Sequence, residues 1–572
     1  MNKYHKLLAI FLFILVTGFT SLYSQAVVVW TQRYSAFAIC RSYGIDVDSS
    51  HNAYVCGRQK LTAASSNGFF TAKVNADSSF AWIRTYNVTN TNNAANGIAV
   101  DNIGNVIVAG QKNIGNIGAG IDTDFLTISY DQNGNTNWIR AYDGGGGGSG
   151  VQGAWGVVVD SANNVYTCGL YHNGASMDGL TLSYGSDGST NWIMSYDTGN
   201  GTNEGCLAVA KDQNNNRYFL GAKELTGGAS DYALFSMKYD SSSNVVWAKR
   251  DDNVLILNAH IIEPASITVD YSGNVYFGLR ENYTHPVYGA GKERAFIMKK
   301  DMNGNTLRTQ TFELPGATPT NCGIHGVGVD SFNNFYICGY TFFSNQTYAY
   351  IAKYDPDGNI IWSNSSIQGR AFDISIDNEH SLYLACQNNN DLLVVKMHQK
   401  PYTPTLISAR GSLGGAIELT WQDVVNDNGY NIYKSSDGVA YNLIGSAAKN
   451  STTYQDTTSE SGKAYYYRIA AVNNAGESDG SNVVQVSGSV STEAVAYPTV
   501  LPHGGTVYFY YVGAASDIKI YNSLGEMVKE LKAVEADQWT PSSDIASGFY
   551  IAVFKDQRGE EKQVKFIYGV KR

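Results

Sequence analysis

Hydrophobic and polar positions alternate along this chain in short runs, broken by turns rich in Asp, Asn, Ser and Gly. The stretch Gly97–Tyr142 shows the pattern: GIAVDNIGNVIVAG, a variable insert, then DFLTISYDQNGNTNWIRAY. Two apolar runs flank the turn at Asp101–Asn105, and two more flank the turn at Asp131–Asn135 ahead of Trp138. Runs of β-branched and aromatic residues around such turns predict antiparallel hairpins.

The unit recurs. Its first run ends in an Asp at positions 48, 101, 160, 212, 270, 330 and 377, a mean period of about 55 residues, which marks a solenoid or propeller. A second hairpin turns at Asp131, Ser186, Asp301 and Asp355, and a Trp follows at 82, 138, 192, 247 and 362, with Arg308 in its place once. Each unit thus supplies four strands, the content of a propeller blade. The last repeat stops at His398 without a Trp strand, whereas Val27–Tyr34 reads like one. The expected fold is all-β: a seven-bladed β-propeller over 26–400, closed by the N-terminal strand, which leaves no long exposed sheet edges.

The motif Asp…Asn-x-Tyr…Tyr-Asp-x-x-Gly-Asn…Trp resembles the SBBP-type β-propeller repeat family across about residues 26–400. The resemblance implies an exported or surface protein and names no ligand.

Composition narrows the function. The 572 residues include 59 Gly, 40 Tyr and 9 Trp, and carry a net charge of −10. Phosphate binding needs a basic footprint, so nucleic acid and anionic membranes are excluded as partners. Residues 1–25 combine Lys3 and Lys6 with an apolar run from Leu7 to about Phe19 and a small polar end, the pattern of a secretory signal peptide. No later segment is apolar enough to span a membrane as a helix. Seven cysteines leave at least one without an intrachain disulfide partner. Cys56, Cys168 and Cys338 each precede a Gly and are expected to be buried strand residues, while the shared spacing of Cys40/Cys56 and Cys322/Cys338 leaves a repeated disulfide open.

Two β-sandwich domains are expected to follow Pro401 and Pro404. Ala416–Asp423, Gly429–Gly438 and Ala464–Ser478 resemble a fibronectin type III domain over 402–488, with Trp421 as its buried tryptophan. Residues 490–572 contain Tyr497–Pro502, Asp517–Leu531, Ser547–Phe554 and Val564–Arg572. They resemble the type A C-terminal sorting domain of the type IX secretion system of Bacteroidota, although Tyr-Pro-Asn-Pro is here Tyr-Pro-Thr-Val-Leu-Pro. The resemblance implies the secretion machinery as a partner and an extracellular or outer-membrane-surface location.

No catalytic, cofactor-binding or metal-binding residue is assigned from the sequence, and no cofactor is expected. Gly148–Gly153 reads G-x-G-x-x-G, but a strand follows it where a phosphate cradle needs a helix. The Asp-x-Asn-Gly turns lack the closing Glu of a calcium loop. Asp124, Asp178 and Asp391 each open a third strand and are expected to cap it. The histidines show no metal-ligand spacing, and no G-x-S-x-G elbow occurs. The Asp…Gly…Trp hairpin is similar to repeats of quinoprotein dehydrogenases and to the sialidase Asp-box, without the catalytic residues of either. The long connections Gln59–Gly68, Lys112–Thr123, Tyr171–Met177, Asp197–Gly205, Glu281–Glu293 and Glu313–Gly323 are expected on one face, the candidate binding surface. The expectation is a non-catalytic binding or adhesion protein taking a glycan or protein ligand. A secreted polysaccharide-active enzyme and a structural or motility-related surface protein are the alternatives.

Overall fold

A computed structural model describes residues 26–569, apart from 36–38, 61, 63–66, 87–91, 114–122, 144–151, 174–175, 198–201, 225–230, 258–265, 286–288, 313–322 and 344–345 in the first part, and 412–415, 461–462, 488–494, 498–499, 502–504, 511–515, 533–537, 543 and 556–558 in the second. The expected signal peptide lies outside the described residues. The described chain is all-β, and no helix in it is long and apolar enough to cross a membrane. It divides into two compact units, Met1–Gln399 and Lys400–Arg572.

The described residues of the first unit form seven four-stranded antiparallel sheets. Their first strands are Ile39–Val47, Ala94–Val100, Gly153–Val159, Glu204–Lys211, Ser266–Val269, Gly323–Val329 and Arg370–Ile376. Six sheets are built from strands in simple succession. The seventh takes its outer strand from the other end of the unit: Ala26–Tyr34 pairs antiparallel with Asp391–Gln399, Ala26 opposite Gln399 and Tyr34 opposite Leu392.

Second and third strands are largely buried on both faces because each sheet is covered on both sides. Thr123–Tyr130 and Arg217–Glu224 are buried throughout. Seven apolar clusters lie between sheets consecutive along the chain or, in one case, between the last and the first. That one joins Tyr383, Ala385, Leu392 and Val394 to Ile45, Val55 and Phe70.

The repeating Asp organises each first hairpin. Asp160 Oδ1 accepts the backbone N–H of Ala162 and of Asn164, at 2.9 and 2.8 Å. Its Oδ2 accepts Asn164 Nδ2 at 2.9 Å and the Tyr166 hydroxyl at 3.0 Å. Asp48, Asp212, Asp270 and Asp330 hold their Asn and Tyr in the same way. The motif is therefore a turn staple whose four acceptor sites are all used. Cys40 and Cys56 are free buried thiols, so the first of the two disulfides left open by spacing does not form; Cys322 lies outside the described residues.

In the second unit, a three-stranded sheet (Thr405–Gly411, Ile417–Gln422, Thr453–Asp456) and a five-stranded one centred on Ala464–Asn473 share a core around Trp421, Tyr430 and Tyr467. Trp421 is buried, with its ring 5.3 Å from Tyr430. Two further sheets follow. Their core gathers Phe509, Ile520, Trp539, Tyr550 and Phe566, and the pairing of Val500–Leu501 with Glu561–Tyr568 is parallel.

Candidate functional site

One cavity of about 460 Å³ in the first unit is lined by the first strand of all seven sheets. Its chemistry follows from one irregularity repeated around it. In six first strands the pairing register slips at the same place, between residues 42 and 44, 95 and 97, 154 and 156, 206 and 208, 324 and 326, and 371 and 373. A β-bulge inserts one unpaired residue and re-aims its side chain. The inserted residues are Tyr43, Asn96, Trp155, Leu207, His325 and Phe372, one from each of six sheets, and every one of the six lines the cavity. The partner strand has to accommodate the bulge. At Gly57, Gly110, Gly169 and Gly339 an added Cβ would run into the carbonyl oxygen of Arg41, Ala94, Gly153 and Gly323 across the ladder. This is why a Gly follows Cys56, Cys168 and Cys338.

Aromatic and cationic groups form an arc that runs from the lining residues Arg58, Tyr43, Phe372 and His325 outward to Tyr340 and Arg370, which lie beyond the lining. The Arg370 guanidinium lies 4.4 Å from the centre of the Tyr340 ring. Tyr340 is 5.3 Å from His325, His325 is 5.0 Å from Phe372, and Phe372 is 6.1 Å from Tyr43. The Arg58 guanidinium closes the arc 5.8 Å from Tyr43. Trp155 adds an indole whose Nε1–H meets no acceptor among the described residues.

Two carboxylates give the cavity an acidic side: Asp46, three residues past Tyr43 and about 10 Å along at strand rise, and Asp373, directly after Phe372. Asp46 accepts the N–H of Val100 at 2.8 Å and of Val47 at 2.9 Å, and the Ser375 hydroxyl at 3.3 Å. Burial raises its pKa, against these hydrogen bonds and the charge of Lys211. Asp373 accepts the N–H of Ile45 at 3.0 Å and of Ile374 at 2.9 Å. Burial pushes its carboxyl up to about 7, with the Asp46 charge adding and the two N–H groups opposing. Each carboxylate reaches a backbone amide of the neighbouring sheet, so both serve as fasteners between sheets.

A second acidic group lies among the long connections. One oxygen each from Asp178, Asp197 and Glu204 come within 4.8 Å of one another, a geometry able to hold a cation. Lys223 Nζ already stands 3.3 Å from Glu204, and Asp178 accepts Ser176 Oγ at 3.0 Å and Asn173 Nδ2 at 2.5 Å. Burial raises the Asp178 pKa; Ser176 and Asn173 oppose that, and the charges of Asp197 and Glu204 add to it. Asp391 pairs with Arg33 at 3.0 Å, and Asp124 is buried. Of the six long connections, Lys112–Thr123 and Glu313–Gly323 fall almost wholly outside the described residues, and the other four are interrupted there.

The cavity residues were not singled out from the sequence. A signal for them exists: in six repeats the inserted residue stands five positions before the turn Asp, as Tyr43 does before Asp48.

No protein-family model matches the chain. It is 30% identical over 134 residues to an amylopullulanase of Thermoanaerobacterium saccharolyticum, and 35% identical over 135 residues to an amylopullulanase of Thermoanaerobacterium thermosulfurigenes. Each match takes in 23% of this chain but only 9% and 6% of those proteins, so the chain spans under a tenth of their length. Among solved structures, an Fn3-like protein from Clostridium thermocellum is 34% identical, covering 15% of this chain and 90% of its own, with a TM-score of 0.14. Polysaccharide lyase Uly1 is 9% identical over 65% of this chain and 99% of its own, TM-score 0.42. The WD40 β-propeller domain of Doa1 is 9% identical over 66% and 98%, TM-score 0.36.

Proposed function

We propose that the first unit is a seven-bladed β-propeller closed by Ala26–Tyr34, and that the chain is an exported, non-catalytic carbohydrate-binding protein. In this reading residues 402–488 are a fibronectin type III spacer. Residues 490–572 are a sorting domain that engages the type IX secretion machinery and delivers the chain to the cell surface or medium. One observation carries the binding role: the bulges of six first strands aim Tyr43, Asn96, Trp155, His325 and Phe372, with Leu207, at a single cavity. Flat aromatic faces beside amide and imidazole groups suit the alternating C–H and hydroxyl surfaces of a sugar. The two curated relatives bear the name of a carbohydrate-active enzyme, which favours a saccharide over a protein ligand. The test is a glycan and matrix-protein array on the chain from residue 26, with Trp155→Ala and Tyr43→Ala alongside. The parent is expected to retain glycans and both variants to lose at least about tenfold in affinity, the worth of one well-buried aromatic contact. Retention of matrix proteins alone would replace the saccharide with a protein partner.

A polysaccharide-active enzyme is the second reading, favoured by the approach of Asp46 and Asp373 to the same cavity. An Asp373 carboxyl held at about 7 suits a general acid. The engagement of both carboxylates by backbone N–H groups favours the binding role. Release of reducing ends from a bound glycan, abolished in Asp373→Asn, would establish the enzyme instead.

A further inference from the structure

We infer that the cavity selects an acidic saccharide, one bearing uronate or sulfate groups, over a neutral glucan; this rests on the carbohydrate-binding reading above. The arc from Arg370 to Arg58 is the observation that carries it. Aromatic side chains without charge would serve a neutral sugar as well as an acidic one. Here a guanidinium stands at each end of a chain of four rings that meet edge to face. Neither guanidinium makes an ion pair among the described residues; each rests on an aromatic face. Stacking of this kind orients the planar fork and leaves its N–H donors for a carboxylate or sulfate, which it can engage bidentately.

The rest of the molecule argues against a casual attraction. The chain carries a net charge of −10, so a polyanion is repelled at long range and must be drawn by a local site. The two acidic side chains at the cavity spend their oxygens on backbone amides, Asp46 on Val47 and Val100, Asp373 on Ile45 and Ile374. Lys211 lines the cavity and interacts with Asp46. The arrangement therefore offers ring surfaces for the sugar C–H groups and two cations without an ion pair among the described residues, Arg58 in the cavity lining and Arg370 beyond it at the far end of the arc, for the anionic substituents. An acidic peptide would satisfy the cations but would leave the ring surfaces without a matching flat, hydroxylated partner; Asn96, whose Nδ2 donates to the Ala154 carbonyl at 2.8 Å, adds its Oδ1 as an acceptor.

The experiment is affinity electrophoresis and calorimetry on the chain from residue 26 with polygalacturonate and alginate, dextran sulfate, pullulan and amylose, and polyglutamate. The parent is expected to bind at least one acidic saccharide tenfold or more tighter than the neutral glucans, and to lose that preference as salt rises. Arg58→Gln is expected to weaken acidic-saccharide binding about 10- to 100-fold, the range of one charge-assisted hydrogen bond, with Arg58→Lys in between. Arg370→Gln provides a second variant at the far end of the arc should Arg58→Gln fail to fold. Equal affinity for neutral and acidic saccharides, unmoved by either variant, overturns the charge selection and leaves saccharide binding standing. Polyglutamate binding as tight as polygalacturonate overturns the saccharide class. Absence of binding to every saccharide overturns the carbohydrate reading itself.

Discussion

Three of the tryptophans that mark the repeats are clamps between neighbouring sheets. Trp82 Nε1 donates to the Gln132 carbonyl at 3.0 Å, Trp138 to Ser186 at 2.9 Å, and Trp247 to Met302 at 3.0 Å. Each ring lies over a glycine in the next sheet's second turn. At Gly134, φ is +79° and an added Cβ would sit 2.7 Å from the Trp82 ring. Gly104 has the same kind of backbone, φ +86°, but its nearest neighbour would be 3.6 Å away. Gly104→Ala should thus cost only the left-handed strain of about 1–2 kcal/mol, and Gly134→Ala about 1–3 kcal/mol more for the displaced indole. Denaturant midpoints of the two variants measure the difference; equal midpoints would show that the clamp contributes little. Asp373 makes a prediction of opposite character. Burial raises its pKa from 3.8 to about 7, so the folded state keeps a proton that the unfolded chain releases. Its contribution is complete below about pH 4 and is lost as pH rises through 7, at up to about 1.4 kcal/mol per pH unit. Asp373→Asn should flatten this fall when melting is compared between pH 4.5 and 7.5. An unchanged slope would place the titration elsewhere.

At the scale of the element, the hairpins were legible in the sequence because their turns repeat a chemical requirement. Asp160, Asn164 and Tyr166 recur as a set since each satisfies another's hydrogen bonds. Replacing Asp160 with Ala strands an amide, a hydroxyl and two backbone N–H groups in a half-buried turn. The expected loss is about 2–4 kcal/mol, against about 1 kcal/mol for Tyr166→Phe, with a coupling near 1 kcal/mol in the double-mutant cycle. Purely additive losses would mean the Tyr hydroxyl does not depend on the Asp. The bulges stayed hidden for the converse reason. They require a position, not a residue type, so Tyr43, Asn96, Trp155, Leu207, His325 and Phe372 look like noise when repeats are aligned. What is shared is the Gly across the ladder, at 57, 110, 169 and 339, which at three of the four positions follows a buried Cys and reads in the sequence as that residue's neighbour. Sequence variability marks the long connections, whereas the cavity is built from strands, so variability does not point to it.

For the whole molecule, the decisive contact spans the greatest sequence distance. Ala26–Tyr34 lies more than 350 residues from the strand it pairs with. The join has three components. One is a ladder from Ala26–Gln399 to Tyr34–Leu392, and a second is a hydrogen bond from Asn364 Nδ2 to the Ala26 carbonyl at 3.1 Å. The third is the packing of Trp30 and Tyr34 against the cluster shared by the first and last sheets. Across that same seam His51 Nδ1 meets Asp377 at 2.9 Å. Deleting residues 26–34 leaves Leu392–Val395 on an unpaired edge, open to pairing with other chains. Net ladder hydrogen bonds of about 1 kcal/mol each make the loss about 5 kcal/mol or more. Calorimetry should therefore show the transition of the first unit shifted down or lost to aggregation, while that of Lys400–Arg572 stays in place. The free peptide 26–34 added in excess should recover part of the shift, because only the entropy of tethering is missing. A deletion that melts as the parent does would mean the first and last sheets hold each other through His51, Asp377 and the apolar seam alone. The strand would then be a cover, and the closed seven-bladed reading would rest on side-chain packing instead of a shared sheet.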